Sequence, residues 1–340
     1  MSATIKDVAK LAGVSVSTVS LVLNNKPRVS EKTKRKVLRA AEMLNYYPNL
    51  MARSLVKKRT NTLGLIIPHT ANYVFSFPYF VEIIRGISNT VRSFGYRLMV
   101  STTYAENQKQ SSYLQIAREH LIDGFILLDI KLRDERIIEL KREQFPFVLV
   151  GKDPWAKGIS YVDPDDVGGA LRAMRHLINL GHERIAFLNG PLDYMVSFDR
   201  MKGYRIALAE ARLNYDPQLV RHGDFVQESG YQKMREILNS SVDFTAVFAA
   251  SDLMAMGAMK AIKEKGLRIP EDIAVVGFDD IPGAAFTDPP LTTVRQPIYD
   301  IGALAAKILI EILEKKRFKE EHIIMPTELI IRRSCGFKRD

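Results

Sequence analysis

GVSVSTVSLVLN, residues 13–24, reads as a short helix with an unusual outer face. Val19, Val22 and Leu23 fall at i, i+3 and i+4 and make one apolar stripe, while Val16, Ser17, Thr18, Ser20 and Leu21 cover the rest without a charge. A helix face turned to water usually carries Lys, Glu or Arg, so this one predicts another environment. Upstream, Thr4 fits the N-cap of IKDVAKLA, whose Ile5, Val8, Ala9 and Ala12 share one side, and Gly13 stops that helix. Ser15 caps the second helix after a link of a few residues, the signature of two helices crossing steeply at a tight turn. Downstream, Ser30 caps EKTKRKVLRAAEMLNY, in which Val37, Ala40, Ala41 and Leu44 close a small core and Lys32, Lys34, Arg35, Lys36 and Arg39 stay outside. The pattern is a three-helix, helix-turn-helix unit. Its second helix offers hydroxyls that donate or accept and alkyl groups that suit a thymine methyl, which is what the floor of a major groove asks for.

Charge agrees with that reading once it is located. Residues 1–60 hold 13 Lys and Arg against three acids, Asp7, Glu31 and Glu42. The remaining 280 residues are balanced, 36 bases against 36 acids, so the whole net charge of +10 lies in one small folded piece and predicts a polyanionic partner. With 340 residues, 46% hydrophobic and 26% charged, the chain has the composition of a soluble protein of two or three domains. The start is polar, no run approaches a membrane span, and Cys335 is the single cysteine. These features predict a cytoplasmic protein without disulfides, membrane association or a thiolate metal cluster.

TIKDVAKLAGVSVSTVSLVLN, followed by the segment from Val29 through NYYPNLMARSL, resembles the headpiece of the LacI/GalR family of bacterial transcriptional regulators over almost all of the first 60 positions. The resemblance implies a sequence-specific DNA-binding regulator, a homodimer on double-stranded operator DNA. It places Val16, Ser17 and Leu21 where bases are read, and Thr4, Thr18, Asn25, Tyr47 and Ala52 among the DNA contacts. Leu21 departs from the polar residue common at its position and predicts an apolar contact. By the same resemblance, residues 49–56 form a hinge helix that docks in the minor groove, with Leu55 wedging between base pairs. Read from composition alone, this stretch is too short to be a stable isolated helix and also suits a flexible linker.

From residue 62 onward the pattern becomes alternating β and α. Apolar runs at 63–68, 96–102, 124–130 and 147–152, then at 185–190, 246–251 and 273–280, are each followed by a helical stretch, which predicts two α/β lobes with parallel sheets. The expected domains are a headpiece at 1–60 and a ligand-binding and dimerisation domain at 61–340. Within the latter, lobe 1 takes about 61–162 and 293–325, and lobe 2 about 163–292 and 326–340. This resembles the periplasmic-binding-protein type of effector domain in the same family, which implies a ligand between the lobes.

In open α/β sheets ligands gather beyond the carboxyl ends of strands. The residues there are Lys152 and Asp153, Ser251 and Asp252, and Asp279 and Asp280. Carboxylates accept from vicinal hydroxyls and an aromatic face covers a ring, a set suited to a sugar-like effector. The resemblance adds Arg200, Phe225, Tyr79 and Phe80 and assigns Asp279 the role of effector-binding carboxylate, while Ser251 replaces an Asn frequent in relatives. Other roles fit the same residues: Asp252 and Asp280 as helix caps, Phe225 and Phe80 as core, Arg200 paired with a helix acid. The segment HTANYVFSFPYF is a few residues longer than usual before its helix. A purine-type or protein-assisted corepressed regulator is the competing function. No phosphate loop, metal-ligand pair or nucleophile elbow occurs, so neither enzyme activity, a catalytic residue, a metal nor a cofactor is expected. His176 and His182 beside Gly181 predict imidazoles settling backbone groups at a helix end. The absence of a heptad run near the end predicts a dimer.

Overall fold

The computed structural model describes residues 3–23, 29–46, 59–102, 113–128, 131–155, 157–315 and 320–336. The chain divides into two compact units, residues 1–60 and 61–340. In the first, α1 (Ile5–Ala12) begins with a capping box in which the Asp7 carboxylate accepts from the Thr4 N–H at 2.8 Å and the Thr4 hydroxyl at 2.7 Å. Gly13, at φ 64°, turns the chain out of it. Ser15 Oγ accepts from the Thr18 N–H at 3.1 Å and starts α2 (Val16–Leu23); Ser30 Oγ accepts from the Thr33 N–H at 3.3 Å and starts α3 (Glu31–Met43). Val8, Ala9, Ala12, Val19, Val22, Val37, Ala40 and Ala41 form the core, with Ile5, Leu23 and Leu44 packed against it. The third helix stops at Met43, short of the expected Tyr46, because Leu44 caps it and Asn45 takes a left-handed turn at φ 47°.

The second unit holds two six-stranded sheets. In chain order the first lobe carries β1 (Thr62–Ile67), α4 (Ala71–Ser76), α5 (Pro78–Ser93), β2 (Arg97–Thr102), α6 (Tyr113–Arg118), β3 (Gly124–Leu128), α7 (Glu135–Arg142), β4 (Phe147–Val150) and β5 (Tyr161–Pro164). The second carries α8 (Asp166–Asn179), β6 (Ile185–Asn189), α9 (Met195–Glu210), β7 (Val220–His222), α10 (Gln227–Leu238), β8 (Ala246–Ala249), α11 (Asp252–Glu264), β9 (Ala274–Asp279) and β10 (Thr292–Arg295). The chain then returns through α12 (Ile298–Lys315) and β11 (His322–Met325) to the first sheet and ends with β12 (Glu328–Ile330) in the second. The sheet orders are β11-β5-β4-β3-β1-β2 and β12-β10-β9-β8-β6-β7, and every described pairing is parallel except that of β12 with β10. Strands β3, β4, β6 and β8 are buried along their whole length, as strands covered by helices on both faces must be.

Two sequence boundaries move. Thr293–Arg295, expected in the first lobe, pair with Gly277–Asp279 of β9, so the crossover falls at Gln296. Strand β5 stays in the first sheet as far as Pro164, beyond the expected limit at 162. Backbone ladders fix both limits, and a ladder partner is not encoded near the strand. The long segment before α5 folds into the extra helix α4, capped by Thr70, whose hydroxyl accepts from the Tyr73 N–H.

Candidate functional site

On α2 the buried stripe is Val19 and Val22, and the opposite side exposes Val16 (41%), Leu21 (37%) and Ser17. The Ser15 hydroxyl lies 2.7 Å from that of Ser17 and 2.8 Å from that of Thr18, so the two hydroxyls form a short chain at the helix start. Val16, Ser17 and Leu21 therefore share an accessible, uncharged surface, and Thr4 sits in the capping box at the start of α1. Asn25, Tyr47, Ala52 and Leu55, with the hinge at 49–56, lie outside the described residues.

Between the lobes is a cleft at the carboxyl ends of strands from both sheets. All eight residues singled out for an effector, Tyr79, Phe80, Lys152, Asp153, Arg200, Phe225, Ser251 and Asp279, line this one cavity. Each arrives by a local device. Lys152 and Asp153 follow β4, Ser251 is the N-cap of α11, and Asp279 ends β9 with φ 118°. Phe225 follows β7 at φ 68°, its carbonyl accepting from the Ser251 hydroxyl at 2.9 Å. Both φ values lie where side chains are strained, and the surrounding contacts hold them there. Gly190 is required behind Phe225, because a Cβ there would lie 2.0 Å from the ring.

The cleft floor is polar. Lys152 reaches across the lobes to Asp199 at 2.5 Å and also meets Asp163 at 3.2 Å. Arg200 binds Asp166 at 2.8 Å, the Ala250 carbonyl and, at 3.9 Å, Asp279, with its guanidinium 3.8 Å from the centre of the Phe278 ring. Gln296 donates to Asp279 at 2.6 Å. Burial, reinforced by Asp166 and opposed by Lys152, pushes the Asp163 carboxyl up to about 7. Burial likewise raises Asp279 to about 7 against the pull of Arg200. For Lys152 burial works against the charge, but Asp163 and Asp199 outweigh it and hold the ammonium.

Sequence reasoning missed Asp163, Asp166, Asp199 and Gln296, and the aromatic pair of Tyr73 on the extra helix and Phe77 just after it, whose rings stack at 5.3 Å. The segment YVDPDD carried a signal, three acids directly after an apolar strand residue. The capping role for Asp252 and Asp280 does not hold. Asp252 accepts from the Thr293 hydroxyl and the Ile281 N–H, and Asp280 pairs with Arg295 and Arg332. Arg200 does pair with a helix acid, Asp166, while still facing the cavity. His176 and His182 meet side chains from elsewhere in the chain, Cys335 Sγ at 3.2 Å and Thr245 Oγ1 at 2.9 Å.

A DNA-reading helix-turn-helix covalently joined to a two-lobed small-molecule receptor defines a ligand-controlled transcriptional regulator. The chain belongs to the LacI family: residues 4–49 match the model of bacterial regulatory proteins of the lacI family, and residues 174–335 match the periplasmic binding protein-like domain. It is 37% identical over 335 residues to the HTH-type transcriptional regulator CelR of Thermobifida fusca, covering 97% of this chain and 98% of the relative. Among solved structures, a complex of CelR with cellobiose aligns at TM-score 0.76 and 34% identity, covering 98% of this chain and 99% of the other. The lac repressor dimer bound to operator and the anti-inducer ONPF aligns at TM-score 0.88 and 29% identity, with the same coverage. No described helix is long and apolar enough to cross a membrane.

Proposed function

We propose that this protein is a cytoplasmic homodimeric repressor whose operator affinity is set by a sugar-like effector held in the interlobe cleft. The convergence of Tyr79, Phe80 and Phe225 with Lys152, Asp153, Arg200 and Asp279 around one cavity carries the reading, because aromatic faces and charged hydrogen-bonding groups together fit a polyhydroxylated ring. The relatives agree: one of the aligned structures holds cellobiose and another is a dimer on operator DNA. Val16, Ser17 and Leu21 read base edges, Thr4, Thr18, Asn25, Tyr47 and Ala52 position the backbone, and Leu55 is the minor-groove wedge. We read the cleft as a receptor, in which Lys152 and Arg200 are engaged by neighbouring carboxylates.

Effector and operator are then coupled through their different affinities for two states, by about 5- to 150-fold in either direction. Fluorescence anisotropy of the full-length protein on duplexes selected from a random pool, with and without a sugar panel, tests this. The expected result is selection of one sequence class at moderate salt and a shift of its affinity by at least one sugar. No preference over random duplex, or no shift with any sugar, overturns the proposal. Leu55→Ala is expected to weaken operator binding and leave effector binding unchanged.

A further inference from the structure

We propose that the effector is a protonated amino sugar. This rests on the sugar reading above and narrows it. Asp163, Asp166, Asp199, Asp252 and Asp279 all lie buried around the cleft floor, and the cations that meet them among the described residues are the half-buried Lys152 and the buried Arg200. Both cations are already engaged. Lys152 is held by Asp199 and Asp163, and Arg200 donates to Asp166 and the Ala250 carbonyl, coming no nearer than 3.9 Å to Asp279. Among the described residues Asp252 accepts from neutral donors, the Thr293 hydroxyl and the Ile281 N–H. The outlying Asp280 has its own two arginines and adds nothing to the excess. The floor therefore carries more negative than positive charge in a place where uncompensated charge is expensive.

Gln296 gives an independent indication. It is 5% exposed and lines the cavity; its Nε2 is committed to Asp279, and its Oε1 has no hydrogen-bond partner among the described residues. That lone acceptor, the carboxylate of Asp279 and the Oδ2 of Asp163, which meets only the Lys152 ammonium, present a wall rich in acceptors. A neutral hexose supplies donors but no charge, and leaves the excess to be relieved by protons on the carboxyls. An ammonium group supplies three donors and the missing charge together.

The protein already shows what these carboxylates hold. Asp163, Asp166 and Asp199 have oxygens within 4.8 Å of one another, a spacing suited to a cation, and the cation at Asp163 and Asp199 is the ammonium of Lys152. A second ammonium beside Asp279 and Gln296 repeats that chemistry, with Phe80, Tyr79 and Phe225 placed to cover the ring of its bearer. Without a ligand, the raised carboxyls of Asp163 and Asp279 relieve the excess by retaining protons near neutrality, and an incoming ammonium displaces them.

Isothermal titration of the full-length protein at pH 7 with 2-amino-2-deoxyhexoses, their parent hexoses and their N-acetyl derivatives tests the assignment. One amino hexose is expected to bind about tenfold or more tighter than both neutral analogues. Repeated in buffers of different ionisation enthalpy, its binding is expected to release protons. The isosteric Asp163→Asn is expected to lower the preference for the amine. A neutral hexose binding as tightly as its amine overturns this inference and leaves the sugar-effector reading intact. Proton uptake on binding the amine, or an undiminished preference in folded Asp163→Asn, also overturns it. Failure of every probe to bind overturns both.

Discussion

The headpiece is held by eight small aliphatic core residues and three capped helix starts and keeps its charges on the surface, whereas the effector domain buries five carboxyl groups and Arg200, with Lys152 half-buried beside them, between much larger cores. The difference is one of reserve. A unit of about 60 residues buries too small a share of its surface to offset strain or buried charge. The effector domain tolerates Phe225 at φ 68°, Asp279 at φ 118° and a crowded floor of acids because the sheets around them are fully packed. Chemistry that needs a fixed, dry environment sits in the large unit, and chemistry that needs only an accessible face sits in the small one.

Asp279→Ala tests the buried side of this contrast and has the largest expected effect. Removing one member of a buried charged network costs about 3–5 kcal/mol, so effector affinity is expected to fall at least about 100-fold while operator affinity is retained. Titration of effector and anisotropy on DNA check both, and a response like that of the unaltered protein removes Asp279 from the site. In the headpiece, Val37→Ala takes two methyl groups from a fully buried position and is expected to cost about 2 kcal/mol. Calorimetry then shows the headpiece melting earlier with the effector-domain transition unmoved.

The two units also answer pH in opposite directions. Asp163 and Asp279 have folded-state values near 7 against an ordinary 3.8, so between those limits the folded state holds more protons than the unfolded chain. Stability of the ligand-free effector domain is therefore expected to fall as pH rises from about 4 to 7 and to level off above, by several degrees in Tm. Asp7 in the headpiece is lowered by the Thr4 hydroxyl and N–H, so its contribution is present above about pH 4 and lost below. Melting curves that rise for both units across pH 4–7 break the contrast. The smallest expected effect belongs to Leu21→Ala, which is expected to cost about 1 kcal/mol at a single base step and leave the headpiece melt unchanged.

Legibility in the sequence followed the range of the interactions. Among the described residues of the headpiece, the three helices could be read because their caps and apolar spacings act within four residues, while the stop of the third helix after Met43 was misjudged. The eight cleft residues were accessible because each lies beside a strand end or matches a family motif. Asp163, Asp199 and Gln296 were not, since their significance comes from partners on other elements: Lys152 from the neighbouring strand end for Asp163 and from across the cleft for Asp199, and Asp279 for Gln296. The short strands β5, β7, β11 and β12, three or four residues each and interrupted by polar side chains, give too weak a period to detect.

Beside the cleft the two lobes are bridged directly by bonds that owe nothing to a ligand. The Tyr73 hydroxyl donates to the Asp224 carbonyl, the Leu132 N–H to the Asp193 carbonyl, and Lys131 pairs with the Asp193 carboxylate at 2.7 Å. These contacts hold the lobes together before any effector arrives, so an effector that favours this arrangement adds to a closure the chain already makes for itself. The receptor half of the chain is thus pre-set: part of the work of drawing its lobes together is done by Tyr73, Leu132 and Lys131 rather than by whatever enters between them.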